Sequence, residues 1–291
     1  MRRPLLLALS LAATRLGAQQ DSLGSVRAFI EREMAPVDAN RRQLAQLLRP
    51  DSGTARADSS FFAWKRRYDT VVDAAGRRLQ TETIQCLIDP GGATAQRLHG
   101  DRCAFSVSPQ APAVAESLRA LLERHGVHGD DGEGDMYYTA GAATLRRVAG
   151  PFLTKPAQEL LDLWVIEDRT PAGGDGALSV SWQELTRRLA ITDRLVTNGG
   201  SVALASVGWF GSYLAALFGN WDNSSGFTYG NPRVFRDADR QRVENYATQH
   251  PTTRGGVIAA EYLALLRANR WRRTDAVEAF LSGLSHRVER P

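Results

Sequence analysis

The stretch SVALASVGWFGSYLAALF, residues Ser201–Phe218, lies inside a run from Leu195 to Trp221 that carries no charged residue. At about 100° per residue, Ala203, Val207, Phe210, Leu214, Leu217 and Phe218 gather on one side of a helix, and Ser201, Ala205, Gly208, Ser212, Ala215 and Ala216 on the other. A helix without a charged face is expected to be buried. Its large side would fill a core, and its small side would admit the backbone of another helix. Trp209 and Tyr213, on the border, carry polar atoms that need partners. The run is long enough to cross a bilayer of about 30 Å. Asn198, Gly199 and Gly200 break it early, however, and no basic cluster flanks it closely. We therefore read it as the central helix of a soluble bundle, with no transmembrane span in the mature chain.

The N-terminus shows the pattern of a secretory signal peptide: Met1-Arg2-Arg3, an apolar stretch Pro4–Ala13, then Leu16-Gly17-Ala18 with small residues near a cut. The mature chain would begin near Gln19, periplasmic or secreted. No cysteine follows the apolar stretch, which argues against a lipoprotein anchor. Loss of Arg2, Arg3 and Arg15 takes three of the 36 basic residues and brings the chain close to balance with its 32 acids. Nothing in that balance points to nucleic acid. Arg187-Arg188 and Arg270–Arg273 are expected on solvated helix faces or ends. The two cysteines, Cys86 and Cys103, are expected to bond to each other in an oxidising compartment. Such a bridge contributes about 3 kcal/mol in the chain-entropy picture.

Along the chain, apolar residues at helical spacing mark segments around Val26–Ile30 and Leu44–Leu48, interrupted at Pro36. A helix through Phe61, Trp64, Tyr68, Val72 and Ala75 should stop at Gly76. Ile84, Cys86 and Ile88, and then Cys103, Phe105 and Val107, alternate as two short strands stapled by the disulfide would. From Pro112 onward helices dominate. One ends at Gly126 before a glycine- and acid-rich loop, Val127–Asp135, and a short helix is expected from Tyr137 to Val148. Ser181-Trp182-Gln183-Glu184 is a capping box, and Thr253 and Thr274 are N-cap candidates.

Tyr246-Ala247-Thr248-Gln249-His250-Pro251-Thr252-Thr253, followed by Ala259, Ala260, Tyr262 and Leu263, resembles the helix, proline turn and small-residue helix of tetratricopeptide-like repeats in envelope proteins. No second copy follows at the roughly 34-residue period of such repeats. The wider layout, from Asp175–Glu184 through Tyr213–Gly219 to Tyr262–Leu266 before Trp271, is similar to secreted bacterial proteins of unknown function. The resemblance implies a helical fold and no particular chemistry.

Two constellations are candidates for chemistry. His125, His128, Asp130, Asp131, Glu133 and Asp135 place carboxylates and imidazoles around glycines, a set suited to calcium or zinc. Counted from Asp131, though, the sixth and twelfth positions of an EF-hand hold Met136 and Ala142 instead of glycine and glutamate. A solvated turn is the reading we adopt there. Alternatively, Glu133 or Asp135 could pair with Glu167 or Asp168 as the acid and base of a glycan hydrolase, with Tyr137, Tyr138 and Trp164 as stacking surfaces. Nucleophile motifs are absent: there is no flanked nucleophile elbow at Gly199–Ala203, no Ser-x-x-Lys and no His-Glu-x-x-His.

The sequence therefore predicts a mainly α protein, a helical bundle or irregular helical-hairpin array, with a small disulfide-stapled β-hairpin in its N-terminal third. A signal peptide (1–18), an N-terminal helical segment with the hairpin (19–110) and a helical domain around the 201–218 helix (111–291) would make up the chain. The expected role is binding or assembly in the cell envelope, with a protein or glycan partner and no cofactor. A carboxylate-based glycan hydrolase is the alternative.

Overall fold

The computed structural model describes residues 4–80, 87–88, 111–132, 135–174, 176–221, 225–230 and 232–289, and gives only the backbone of 4–22, 130–132, 135, 136 and 289. The chain is mainly helical, as expected. Its contacts divide it into two compact units, residues 1–43 with 65–141 and residues 44–64 with 142–291.

Helices α1 (Pro4–Leu48) and α2 (Ala55–Leu79) each contribute to both units. Pro36 does not interrupt α1. In the first unit Ile30, Met34 and Val37 of α1 are buried, as are Tyr68, Val72, Ala75 and Leu79 of α2. Helix α3 (Ala111–Arg124) adds Ala115, Leu118, Leu121 and Leu122 to the buried set. Gly76 lies inside α2 rather than ending it. A Cβ there would come within 2.9 Å of the Tyr138 side chain, so the glycine serves the close approach of that ring.

The antiparallel hairpin that pairs with this position is β1 (Val127–Gly132) with β2 (Asp135–Ala140), Val127 opposite Ala140 and Gly132 opposite Asp135. The sequence placed a loop and the start of a helix here. Tyr137, Tyr138 and Thr139 instead alternate exposed, buried and exposed, the period-2 pattern of a strand with one covered face. Helix formation is delayed to α4 (Ala142–Ala149). Of the hairpin expected between 84 and 107, Leu87 and Ile88 are helical and buried rather than extended. Cys86, Cys103 and the remainder lie outside the described residues.

In the second unit α4 packs on α5 (Lys155–Arg169), and α6 (Trp182–Thr197) packs along α7 (Gly200–Leu217). A two-residue ladder, β3 (Gly173–Gly174) with β4 (Ala177–Leu178), bridges α5 and α6 in sequence. Helices α8 (Asp237–Gln249) and α9 (Arg254–Ala268) form the pair around His250-Pro251 that the repeat resemblance implies, and α10 (Asp275–Ser282) and α11 (Leu284–Glu289) follow. Ser181 caps α6 by accepting the Glu184 N–H at 3.2 Å, and Thr253 caps α9 by accepting that of Gly256 at 3.2 Å. Thr274 stands at the N-cap of α10 as expected, but its hydroxyl donates to Asn269 Oδ1 at 2.9 Å instead of making a cap hydrogen bond.

The large side of α7 is core, with Phe210, Leu214, Leu217 and Phe218 buried. Its small side is packed only at Ala216. Gly208 and Ser212 are exposed, Ser201, Ala205 and Ala215 are half-buried, neighbouring Leu204 is 80% exposed, and a Cβ on Gly208 would meet nothing within 4 Å. By length and composition α7 is long and apolar enough to cross a membrane, and 44% of it is buried within the protein. The expectation of burial on all sides is therefore corrected: α7 has one packed face, because the small residues leave too little surface to fill a second core.

Arg188 corrects another expectation. It is 1% exposed, not solvated. Its guanidinium donates to Glu167, to Glu184 Oε1 at 2.8 Å and to the carbonyl of Thr170 at 2.8 Å.

Candidate functional site

An open cleft lined by two arginines and several aromatic rings lies where α7 ends. Gly219 has φ 67°, a left-handed conformation that ends the helix, and its carbonyl accepts the Gly226 N–H at 2.9 Å. A Cβ on Gly219 would lie 2.2 Å from the Gly226 nitrogen. Only two glycines allow the ends of this loop to meet so closely.

From Gly226 the chain forms a short irregular ladder. Phe227 bridges Phe235, Thr228 N–H donates to the Val234 carbonyl at 2.8 Å, and Arg236 N–H to that of Gly226 at 2.9 Å. A second bridge joins Val234 to Arg272, with Phe235 N–H donating to Trp271 at 2.7 Å and Arg273 N–H to Arg233 at 2.9 Å. Antiparallel pairing of Val234 with Arg272 sets Arg233 directly opposite Arg273. Residues so placed share a face, and like charges there are destabilising. The backbone reaches this ladder through Arg270 and Trp271, with φ 53° and 61°, conformations unfavourable for side chains of their size.

An aromatic cluster floors the ladder. Phe227 meets Phe235 edge-on at 5.0 Å, Phe235 meets Tyr262 at 5.8 Å, and Tyr262 stacks on Phe218 at 4.4 Å and on Phe280 at 5.4 Å. The Tyr262 hydroxyl donates to the Phe218 carbonyl at 3.2 Å, and burial pushes its phenol well above the usual tyrosine range. Above this floor is a cleft of about 180 Å³, lined by Asn220, Trp221, Ser225, Phe227, Thr228, Tyr229, Arg233 and Arg273. Trp221 is held by backbone: a Cβ on Gly173 would lie 2.0 Å from its ring, so β3 must offer a glycine there. Tyr229 is 84% exposed.

The two arginines differ. Arg273 forks onto Glu278, with Nη2 3.1 Å from Oε2, and its guanidinium lies 5.3 Å from the Phe227 ring centre. Arg233 is exposed and makes no ion pair with any described residue. None of the described lining residues is acidic. Among the described residues, Arg233 therefore stands without an acidic partner beside aromatic faces and side-chain hydroxyls.

The residues singled out in the sequence fall elsewhere. His125 Nδ1 is 2.7 Å from Asp38 Oδ2, and Arg41 reaches the other oxygen of Asp38 at 2.8 Å, so the imidazole is engaged with α1. His128 is half-buried in β1, opposite Thr139. Asp131 and Asp135 are placed by backbone in the hairpin, and Glu133 is outside the described residues. Among described residues no three side chains of metal-ligating type cluster. Tyr138 is buried, whereas Tyr137 is exposed.

Glu167 and Asp168 belong to the second unit, and Asp131 and Asp135 of the hairpin to the first. Glu167, 6% exposed, accepts from Arg188 and the Tyr213 hydroxyl on Oε1 and from Ala172 N–H at 2.9 Å on Oε2. Burial and this carboxylate push the Tyr213 phenol upward. Asp168 accepts the Ala142 N–H at 2.7 Å, at the first residue of α4. Both carboxylates hold the framework together. The cleft itself was missed in the sequence, where Arg270–Arg273 is expected as a solvated run and the asparagine-, serine- and aromatic-rich stretch 220–234 draws no functional reading. The run of asparagine, serine, glycine and aromatics was the available signal.

No protein family matches the chain, nor does any curated protein or solved structure.

Proposed function

We propose that the chain is an exported, non-catalytic binding protein of the bacterial cell envelope. Its helices act as a frame and its ligand occupies the cleft between Asn220 and Arg273. The observation that carries this reading is the juxtaposition of Arg233 and Arg273 on paired backbone, facing a cleft with Trp221 and Tyr229 at its rim. A ladder reached through two strained residues, which sets exposed Arg233 beside these aromatic rings, supports a ligand that brings an acidic partner for that arginine. The signal-peptide pattern supports a ligand outside the cytoplasm, and a wall glycan is the partner class that suits polar and aromatic lining.

The test is cosedimentation of the mature chain, from Gln19, with isolated wall glycan and with envelope membranes. Wild type is expected to sediment with the glycan, and the double variant Trp221→Ala/Tyr229→Ala to remain largely in the supernatant. Equal behaviour of the two proteins, or wild type soluble with every fraction, overturns the proposal.

A further inference from the structure

We propose that the cleft takes one carboxylate-bearing sugar unit, with Arg233 as the anion anchor. This rests on the binding reading above and goes beyond it to the chemistry of the ligand.

Charge comes first. Arg273 is neutralised by Glu278, and its position over Phe227 is fixed by that fork. Arg233 stands opposite it with no acid among the described lining residues. A guanidinium with no acidic partner among the described residues suits an anionic ligand group. A guanidinium fork fits the two oxygens of a carboxylate in a bidentate pair, a geometry that gives selectivity as well as attraction.

The remaining surface suits a ring carrying hydroxyls. Ser225 Oγ accepts the Phe227 N–H at 3.2 Å and Thr228 Oγ1 accepts that of Val234 at 3.0 Å, which leaves each hydroxyl hydrogen to donate. Asn220, beside them, offers both a donor and an acceptor. Tyr229 and Trp221 present apolar ring faces against which the C–H face of a pyranose can be withdrawn from water. The volume agrees. At about 180 Å³ the cleft is smaller than the roughly 300–1,000 Å³ of sites that engulf a drug-sized ligand, so it accommodates a single ring or the end of a longer chain.

Isothermal titration of the mature full chain with D-glucuronate, D-glucose, glucose 6-phosphate and acetate, each alone, tests the assignment. Glucuronate is expected to bind at least about tenfold tighter than any of the other three, and to weaken as salt is added. Arg233→Gln should lower glucuronate affinity at least about tenfold and so abolish the preference for glucuronate over glucose, while Tyr229→Ala should weaken both sugars. Equal binding of glucose and glucuronate would show a site without charge selection. Tighter glucose 6-phosphate would show a phosphate site, and acetate equal to glucuronate would remove the ring from recognition. Each of these overturns the inference, as does an unaltered Arg233→Gln variant or no binding at all. The binding reading is judged separately: cosedimentation that still depends on Trp221 and Tyr229 would keep it standing with a different ligand.

Discussion

Asp193, near the end of α6, and Gly255, in the first turn of α9, are joined by a hydrogen bond of 2.9 Å from the glycine N–H to Oδ1. The other oxygen accepts the Tyr246 hydroxyl at 2.9 Å. A carboxylate thus sits at the N-terminal end of α9, where unpaired N–H groups and the helix dipole favour negative charge. Asp193 is 1% exposed, so this contact ties α8 and α9 to α6 in a place water does not reach.

Asp193→Ala should therefore destabilise the protein by about 3 kcal/mol, because it leaves the Tyr246 hydroxyl and the Gly255 N–H buried without an acceptor. Asp193→Asn keeps an acceptor and should cost less. Urea unfolding followed by tryptophan fluorescence measures both, and equal midpoints for wild type and the alanine variant would refute the tie.

Glu184 makes stability depend on acidity. Its hydrogen bond with Arg187, aided by that with Arg188, draws its carboxyl down from the ordinary 4.5 to about 2, against the opposing effect of burial. A carboxyl with a lowered folded-state value stabilises fully above 4.5, and that contribution fades as pH falls toward about 2. Glu184→Gln should therefore be less stable than wild type at neutral pH, with the gap closing across this acid window. A gap that is constant from pH 7 to pH 2 would count against the assignment.

The two faces of α7 predict opposite outcomes. Leu214→Ala should leave a cavity and cost about 2 to 5 kcal/mol. Gly208→Ala meets open space and should stabilise the helix by about 1 kcal/mol. Thermal unfolding of the pair decides it, and a destabilised alanine at 208 would mean that a packed neighbour covers this face.

Gly219→Ala should strain the loop closure twice, through its positive φ and through the 2.2 Å approach of the new Cβ to the Gly226 nitrogen. A destabilisation of about 1 to 3 kcal/mol follows from the backbone strain. Faster proteolytic cutting between residues 219 and 236 at unchanged far-UV signal is the expected readout, and wild-type resistance there would remove the glycine pinch from the account.

The sequence by itself determined the helical framework. The charge-free run of Ser201–Phe218, the capping box at Ser181 and the threonine cap at Thr253 are local signals, because helix periodicity and capping involve residues three or four apart. Tertiary structure decided what those helices face. Arg188 sits four residues after Glu184 as a surface charge would, and only the approach of Glu167, Thr170 and Tyr213 makes its burial tolerable. The same holds for the small side of α7, which composition alone could not distinguish from a helix contact. The hairpin at 127–140 was hidden because a glycine- and acid-rich stretch has little periodicity, and its register comes from cross-strand pairing. The cleft was the least legible feature. Its charge depends on Arg233 lying opposite Arg273, and that neighbourhood exists only after the end of α7, the ladder and the turn after α9 have folded onto one aromatic floor. Nearness in the chain fixes local conformation, whereas burial and charge compensation are set by groups brought together from far apart in it.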